Sequence, residues 1–159
     1  MADSAGFAVH VVNAGLSGET SAGALRRVEW LLQQTPDLLI IETGANDGLR
    51  GVDPDSTEAN LRALVATVRA TLPSLPIALV QMEAPPNLGP LYTSRFRALF
   101  RDVARDEGLT LLPFLLERVA GQSSLNQSDG IHPNPAGAEI AARTLWPALA
   151  PLFAAASTR

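Results

Sequence analysis

The residues best suited to chemistry lie in the stretch S-D-G-I-H-P-N, Ser128 to Asn134. Asp129 and His132 are offset by three positions, so one turn can present a carboxylate and an imidazole together. The carboxylate would accept a hydrogen bond from one ring N–H, fix the tautomer and leave the other nitrogen as a general base. The same pair, taken alone, also describes a loop aspartate capping the helix that starts near Pro135 beside an incidental histidine. Two further loops tip the balance. N-A-G-L-S-G-E-T (Asn13 to Thr20) and G-A-N-D-G (Gly44 to Gly48) hold the parts of an oxyanion hole. A carboxamide such as that of Asn46 donates N–H to a developing negative charge, and a glycine such as Gly18 lets a backbone N–H approach with no side chain in the way. Either loop by itself is equally well an ordinary strand-to-helix turn rich in Gly and Asn.

Composition removes most competing chemistries. The 159 residues carry 12 basic and 16 acidic side chains, for a net charge of −4, and every base is arginine. Without lysine there is no P-loop lysine, no Schiff base and no Ser–Lys dyad. With zero cysteines there is no disulfide, thiolate metal site or thiol nucleophile. The two histidines, His10 and His132, are too few for a His-rich metal centre. Scattered bases on an acidic chain are not the footprint of a nucleic-acid binder. Neither a signal-peptide pattern nor an 18-residue apolar run is present, so no transmembrane segment is expected and the compartment stays open. No metal and no organic cofactor is expected.

The loops need elements to hold them. Val9–Val12, Leu38–Thr43, Ile77–Met82 and a weaker Leu109–Leu112 read as strands, the second as one covered on both faces. Between them, Ser21–Gln34, Asp55–Thr71 and Leu91–Glu107 show apolar residues at helical spacing, with Trp30, Leu31, Phe96 and Phe100 facing the core. Asp55 and Glu58 suggest a capping box, and Gly108 ends the third helix. A last helix begins near Pro135, and Pro147 and Pro151 should interrupt or end it. His10 reads as a structural histidine within its strand. Arg95, Arg97, Arg101 and Arg105 read as a solvated helix face. Strand–helix alternation at this spacing implies an α/β parallel sheet with helices on both faces. Ligands then bind beyond the carboxyl ends of the strands, where all these loops would meet on one rim.

Taken in order, N-A-G-L-S-G-E-T, G-A-N-D-G-L-R-G and D-G-I-H-P-N resemble the SGNH (GDSL-type) hydrolases, in particular the arylesterase, lysophospholipase L1 and acyl-CoA thioesterase I group. The resemblance runs from about Val9 to the last helix. It implies a three-layer α/β/α, flavodoxin-like fold formed by one domain spanning residues 1–159. By motif, Gly18 and Asn46 would be the oxyanion-hole residues, and Asp129 and His132 the acid–base pair.

One block is missing. The family's opening strand and G-D-S-L supply the serine nucleophile and one oxyanion amide, and no such block occurs here. Ala2-Asp3-Ser4 invites the comparison but lies only nine residues before Asn13, too near for a strand–helix–strand unit of about 30 residues. Asp3–Phe7 reads instead as the end of the helix that follows the nucleophile, closed at Gly6. Ser17 belongs to a different loop. The expectation is an N-terminally shortened chain whose nucleophile lies upstream of Met1 and whose missing first strand would be central. The unpaired strand edges so left would invite self-association. The implied activity is hydrolysis of small acyl esters or thioesters through an acyl-enzyme, with Leu49–Val52 and Pro85–Tyr92 as candidates for the acyl pocket. The alternative is a non-catalytic SGNH-like domain that binds a ligand or a partner.

Overall fold

The computed structural model describes residues 1–156. The chain divides into two compact units, Val11–Leu111 and the combination of Met1–His10 with Leu112–Arg159.

In the larger unit, α1 (Ser21–Leu31) leads into β1 (Leu39–Ile41), a short α2 (Ala45–Arg50) and α3 (Pro54–Thr71). There follow β2 (Ile77–Val80), α4 (Pro90–Asp106) and β3 (Thr110–Leu112), whose last residue crosses the unit boundary. The strands form one sheet in the order β1-β2-β3, and β1 runs parallel to β2 with Leu39 opposite Ile77 and Ile41 opposite Leu79. Parallel strands require a crossover, which α2 and α3 supply. All four residues of β2 are buried, the mark of a strand covered on both faces. Helix α1 packs on α3, α3 on α4, and α4 on β2. Leu61, Val65 and Val68 of α3 and Phe96, Leu99, Phe100 and Val103 of α4 have no solvent exposure.

Ion pairs tie α3 to α4. Arg95 bonds Asp55 at 2.7 Å and Glu58 at 2.5 Å, and Arg62 bonds Glu58 and Asp106, each at 2.8 Å. Arg97 holds Glu83, and Arg105 holds Asp102 and Asp106. Of the arginine row, Arg95 braces α4 against α3, while Arg97, Arg101 and Arg105 lie on an exposed face. Asp55 and Glu58, occupied by arginines, do not form a capping box. Asp53 is the N-cap, accepting from Asp55 N–H, with Pro54 in the first turn where its missing N–H costs nothing.

Three other expectations fail for physical reasons. Val9–Val12 is not a strand, and Val11 and Val12 are 78% and 65% exposed. A β-strand exists only by exchanging backbone hydrogen bonds with a neighbour, and among the described residues this segment makes none. His10 is accordingly an exposed coil residue. Ile40 of β1 is 39% exposed, so this strand is not covered on both faces. Trp30 lies on the outer side of α1, 66% exposed, while Val28 and Leu32 take the core positions.

The smaller unit opens with a 3-10 turn, Asp3–Ala5, closed at Gly6 in the left-handed region, as a helix end there requires. It also contains a 3-10 turn at Ser123–Leu125 and the long α5 (Pro135–Ala156). Phe7, Trp146 and Phe153 form an aromatic triad with centroids 6.0–6.3 Å apart. Helix α5 runs through Pro147 and Pro151. They lie four residues apart on one exposed stripe, so the backbone bonds they remove are lost on the side where water replaces them. Among the described residues no helix is long and apolar enough to cross a membrane.

Candidate active site

The Asp129–His132 turn is the best-formed piece of chemistry. Gly130 takes a positive φ of 70° and its N–H closes on Gln127 O at 3.0 Å. Gln127 N–H bonds His132 O at 2.7 Å, and Asn126 bridges Pro133, so the loop is pinned across its base. Asp129 Oδ1 accepts the N–H groups of Ile131 (2.9 Å) and His132 (3.0 Å). Its Oδ2 lies 2.7 Å from His132 Nδ1. Both carboxylate oxygens are thus engaged, and the two backbone donors, with the imidazole after them, push the Asp129 carboxyl down to about 2. The contact assigns the proton to Nδ1, which leaves Nε2 as the lone-pair nitrogen. His132 is 65% exposed at its side chain, so Nε2 is open to a reactant.

Helix α5 begins directly behind this turn, and Asn134 organises the junction. Its Oδ1 accepts Gly137 N–H at 3.0 Å and its Nδ2 donates to Ser124 O at 2.8 Å. A Cβ on Gly137 would come within 2.2 Å of Leu125 O, a backbone atom that cannot rotate away. Gly137→Ala should therefore cost about 1–3 kcal/mol and displace the Asp129–His132 turn. Chemical denaturation gives the first, and the NMR shifts of the His132 ring give the second.

In the larger unit, Gly44 caps α2 with φ of 103°, and a Cβ there would lie 2.9 Å from Phe100 Cζ. Only glycine satisfies both conditions. Asn46, in the first turn of α2, donates Nδ2–H to Glu19 O at 2.9 Å. A carboxamide has two N–H groups, so this bond fixes the plane of the amide and leaves the second N–H for another acceptor. Gly18 has a φ of 75°, and its carbonyl accepts from Arg50 Nη2 at 2.9 Å. Its N–H donates to no group among the described residues. Asn46 and Gly18 are thus brought together through Glu19, each with a donor to spare. Arg27 ties the same loop by bonding Ala14 O and both Glu19 oxygens, each at 2.6 Å.

The two segments named for an acyl pocket touch: Tyr92 Oη donates to Val52 O at 2.6 Å. Burial first, then the Asp47 and Asp53 charges, push the Tyr92 phenol up, so it remains a donor. Ser4 and Ser17 are exposed, and no hydrogen bond is seen from either hydroxyl to a described residue.

Sequence reasoning gave no holding role to Arg27, Arg50, Ser21 or Asp47, which tie these loops. The only local signal was that Asp47 follows Asn46.

A family model described as the GDSL-like Lipase/Acylhydrolase family matches residues 2–140. The chain is 41% identical over 149 residues to Esterase TesA of Pseudomonas aeruginosa, covering 93% of this chain and 73% of that protein. It is 41% identical over 125 residues to Thioesterase 1/protease 1/lysophospholipase L1 of Escherichia coli K12, covering 78% of this chain and 59% of that protein. Among solved structures, the psychrotrophic esterase EstA from Pseudoalteromonas sp., inhibited by monoethylphosphonate, superposes with a TM-score of 0.88 at 36% identity, covering 96% of this chain and 83% of that one. The family model and these relatives extend over most of the chain, which belongs to the GDSL-like lipase/acylhydrolase (SGNH) family.

Proposed function

We propose that this chain is the acid–base and oxyanion part of a serine-type hydrolase of carboxylic esters or thioesters. The observation that carries the reading is the 2.7 Å contact between Asp129 Oδ2 and His132 Nδ1, which leaves Nε2 free. Nε2 takes the proton of a serine as that hydroxyl attacks the acyl carbonyl, and later returns it to the leaving group. The second N–H of Asn46 and the N–H of Gly18 receive the oxyanion, and water then hydrolyses the acyl-enzyme. The relatives' names, an esterase and a thioesterase/lysophospholipase, support ester or thioester substrates. The phosphonate-inhibited relative fits a nucleophile of this kind.

Residues 1–159 contain no G-D-S-L. In this reading the serine therefore belongs to a segment outside them, whose strand would pair with an open sheet edge. The 159 residues alone should hydrolyse p-nitrophenyl butyrate barely above background and self-associate through the unpaired edge of β1. An extended protein in which an apolar strand and G-D-S-L precede residue 1 should be monomeric and esterolytic. Ester turnover and light scattering on both forms check this. A stoichiometric fluorophosphonate label on the 159 residues alone would overturn the external serine. An extended protein that folds, is monomeric and stays inactive would favour the non-catalytic, ligand-binding reading.

A further inference from the structure

Asp47 is a fully buried carboxylate that the proposed reaction does not use, 1% exposed on the short helix α2 beside Asn46. Among the described residues no arginine pairs with it. Instead, donors from two other elements converge on it. Its Oδ2 accepts Ser21 N–H at 2.8 Å, and its Oδ1 accepts Ser21 Oγ–H at 2.5 Å and Thr57 Oγ1–H at 3.3 Å. Asn60 Nδ2 donates to Ser21 Oγ at 3.0 Å, which turns the serine proton toward Asp47. Ser21 and Thr57 have no exposure either. The donors replace the water that burial takes from the side chain.

The geometry points to Asp47 as the positioning residue of the oxyanion loops. Ser21 opens α1 directly after the Gly18–Thr20 turn, Thr57 and Asn60 lie on α3, and Asp47 shares α2 with Asn46. One buried side chain thus clamps the three elements that decide where Gly18 N–H stands relative to Asn46 Nδ2. The Asn46–Glu19 bond is the outer of two ties between these segments and the Asp47–Ser21 pair the inner one. The inference rests on the oxyanion role proposed above, yet its structural core holds for the 159 residues alone.

Asp47→Asn keeps the shape but replaces one acceptor oxygen by a donor. In either orientation of the amide, a donor meets Ser21 N–H or the Ser21 proton loses its acceptor. In the 159-residue chain, the Asn46 side-chain NH₂ resonances and the Gly18 amide should shift, and the Ser21 amide should exchange with solvent at least about tenfold faster, a loss of protection typical of local opening. Amides of α5 should be unchanged. Ser21→Ala, which retains the backbone donor, should give a smaller change of the same pattern, and it carries the test should Asp47→Asn unfold the chain. Unchanged Asn46 and Gly18 resonances in both variants, or a uniform loss of protection everywhere, would overturn the positioning role. In the extended esterolytic protein, Asp47→Asn should lower kcat on the order of 10²-fold, the scale set by an ångström of misplacement, with KM nearly constant. An unaltered kcat there, where Asn46→Ala is impaired, would also overturn it. If Asn46→Ala is not impaired, the oxyanion reading itself fails, and the resonance and exchange data alone decide what Asp47 positions.

Discussion

His132→Ala, made in the extended form proposed above, should lower ester hydrolysis by on the order of 10⁴-fold or more, because the acid–base relay of an acyl transfer acts as a unit. Asp129→Asn should approach the same loss with the fold intact. An amide at that position still accepts the Ile131 and His132 N–H groups through its oxygen, but it presents N–H to the ring and selects the wrong tautomer. Acidity gives a second readout. The folded state lowers the Asp129 carboxyl from 3.8 to about 2, so its contribution to holding the turn is complete above about pH 4 and is lost only as pH falls through about 2. An acid limb of the rate profile between about pH 4 and 8 therefore cannot be Asp129 losing its charge. Retention of more than a tenth of the rate in His132→Ala would end the triad assignment.

The largest effect on stability is expected from Phe100→Ala. The ring has no exposure, meets Phe96 edge-on at 5.4 Å and closes over Gly44. Its removal should cost about 3–5 kcal/mol and lower the thermal midpoint by roughly 10 °C or more. Because Phe100 Cζ also occupies the space a Gly44 side chain would need, the cavity opens beneath the turn that aims Asn46. Phe100→Leu should cost less in stability. Denaturation midpoints check the first claim, and the Asn46 side-chain resonances check the second. A change below about 1 kcal/mol would mean that the ring is not the keystone of this turn.

What the sequence made legible was mostly local. Asp129 and His132 are three positions apart, and the turn that joins them is written into the residues between. Four consecutive apolar residues marked β2, which is buried along its whole length. Val9–Val12 carries the same kind of pattern and forms no strand, because β structure depends on a neighbour that a pattern cannot supply. Asp53 rather than Asp55 caps α3 because Pro54, with its φ preset for a first helical position, starts the helix ahead of Asp55. Pro147 and Pro151 failed to stop α5 because both fall on its wet side. The clamp on Asp47 joins residues 26 and 10 positions away, so no window along the chain displays it.

The placement of the two tryptophans has an optical consequence. Trp30 stands in water on α1, and Trp146 packs at a tilt against Phe7 and Phe153. The first should emit at the red end of the indole range and be quenched freely by acrylamide, the second further to the blue and shielded. Each belongs to a different compact unit, so Trp30→Phe leaves a chain with one indole that reports the melting of the aromatic triad alone. The chain's single tyrosine, Tyr92, then absorbs for the other unit. Native residues thus distinguish one cooperative transition from two without any label being attached.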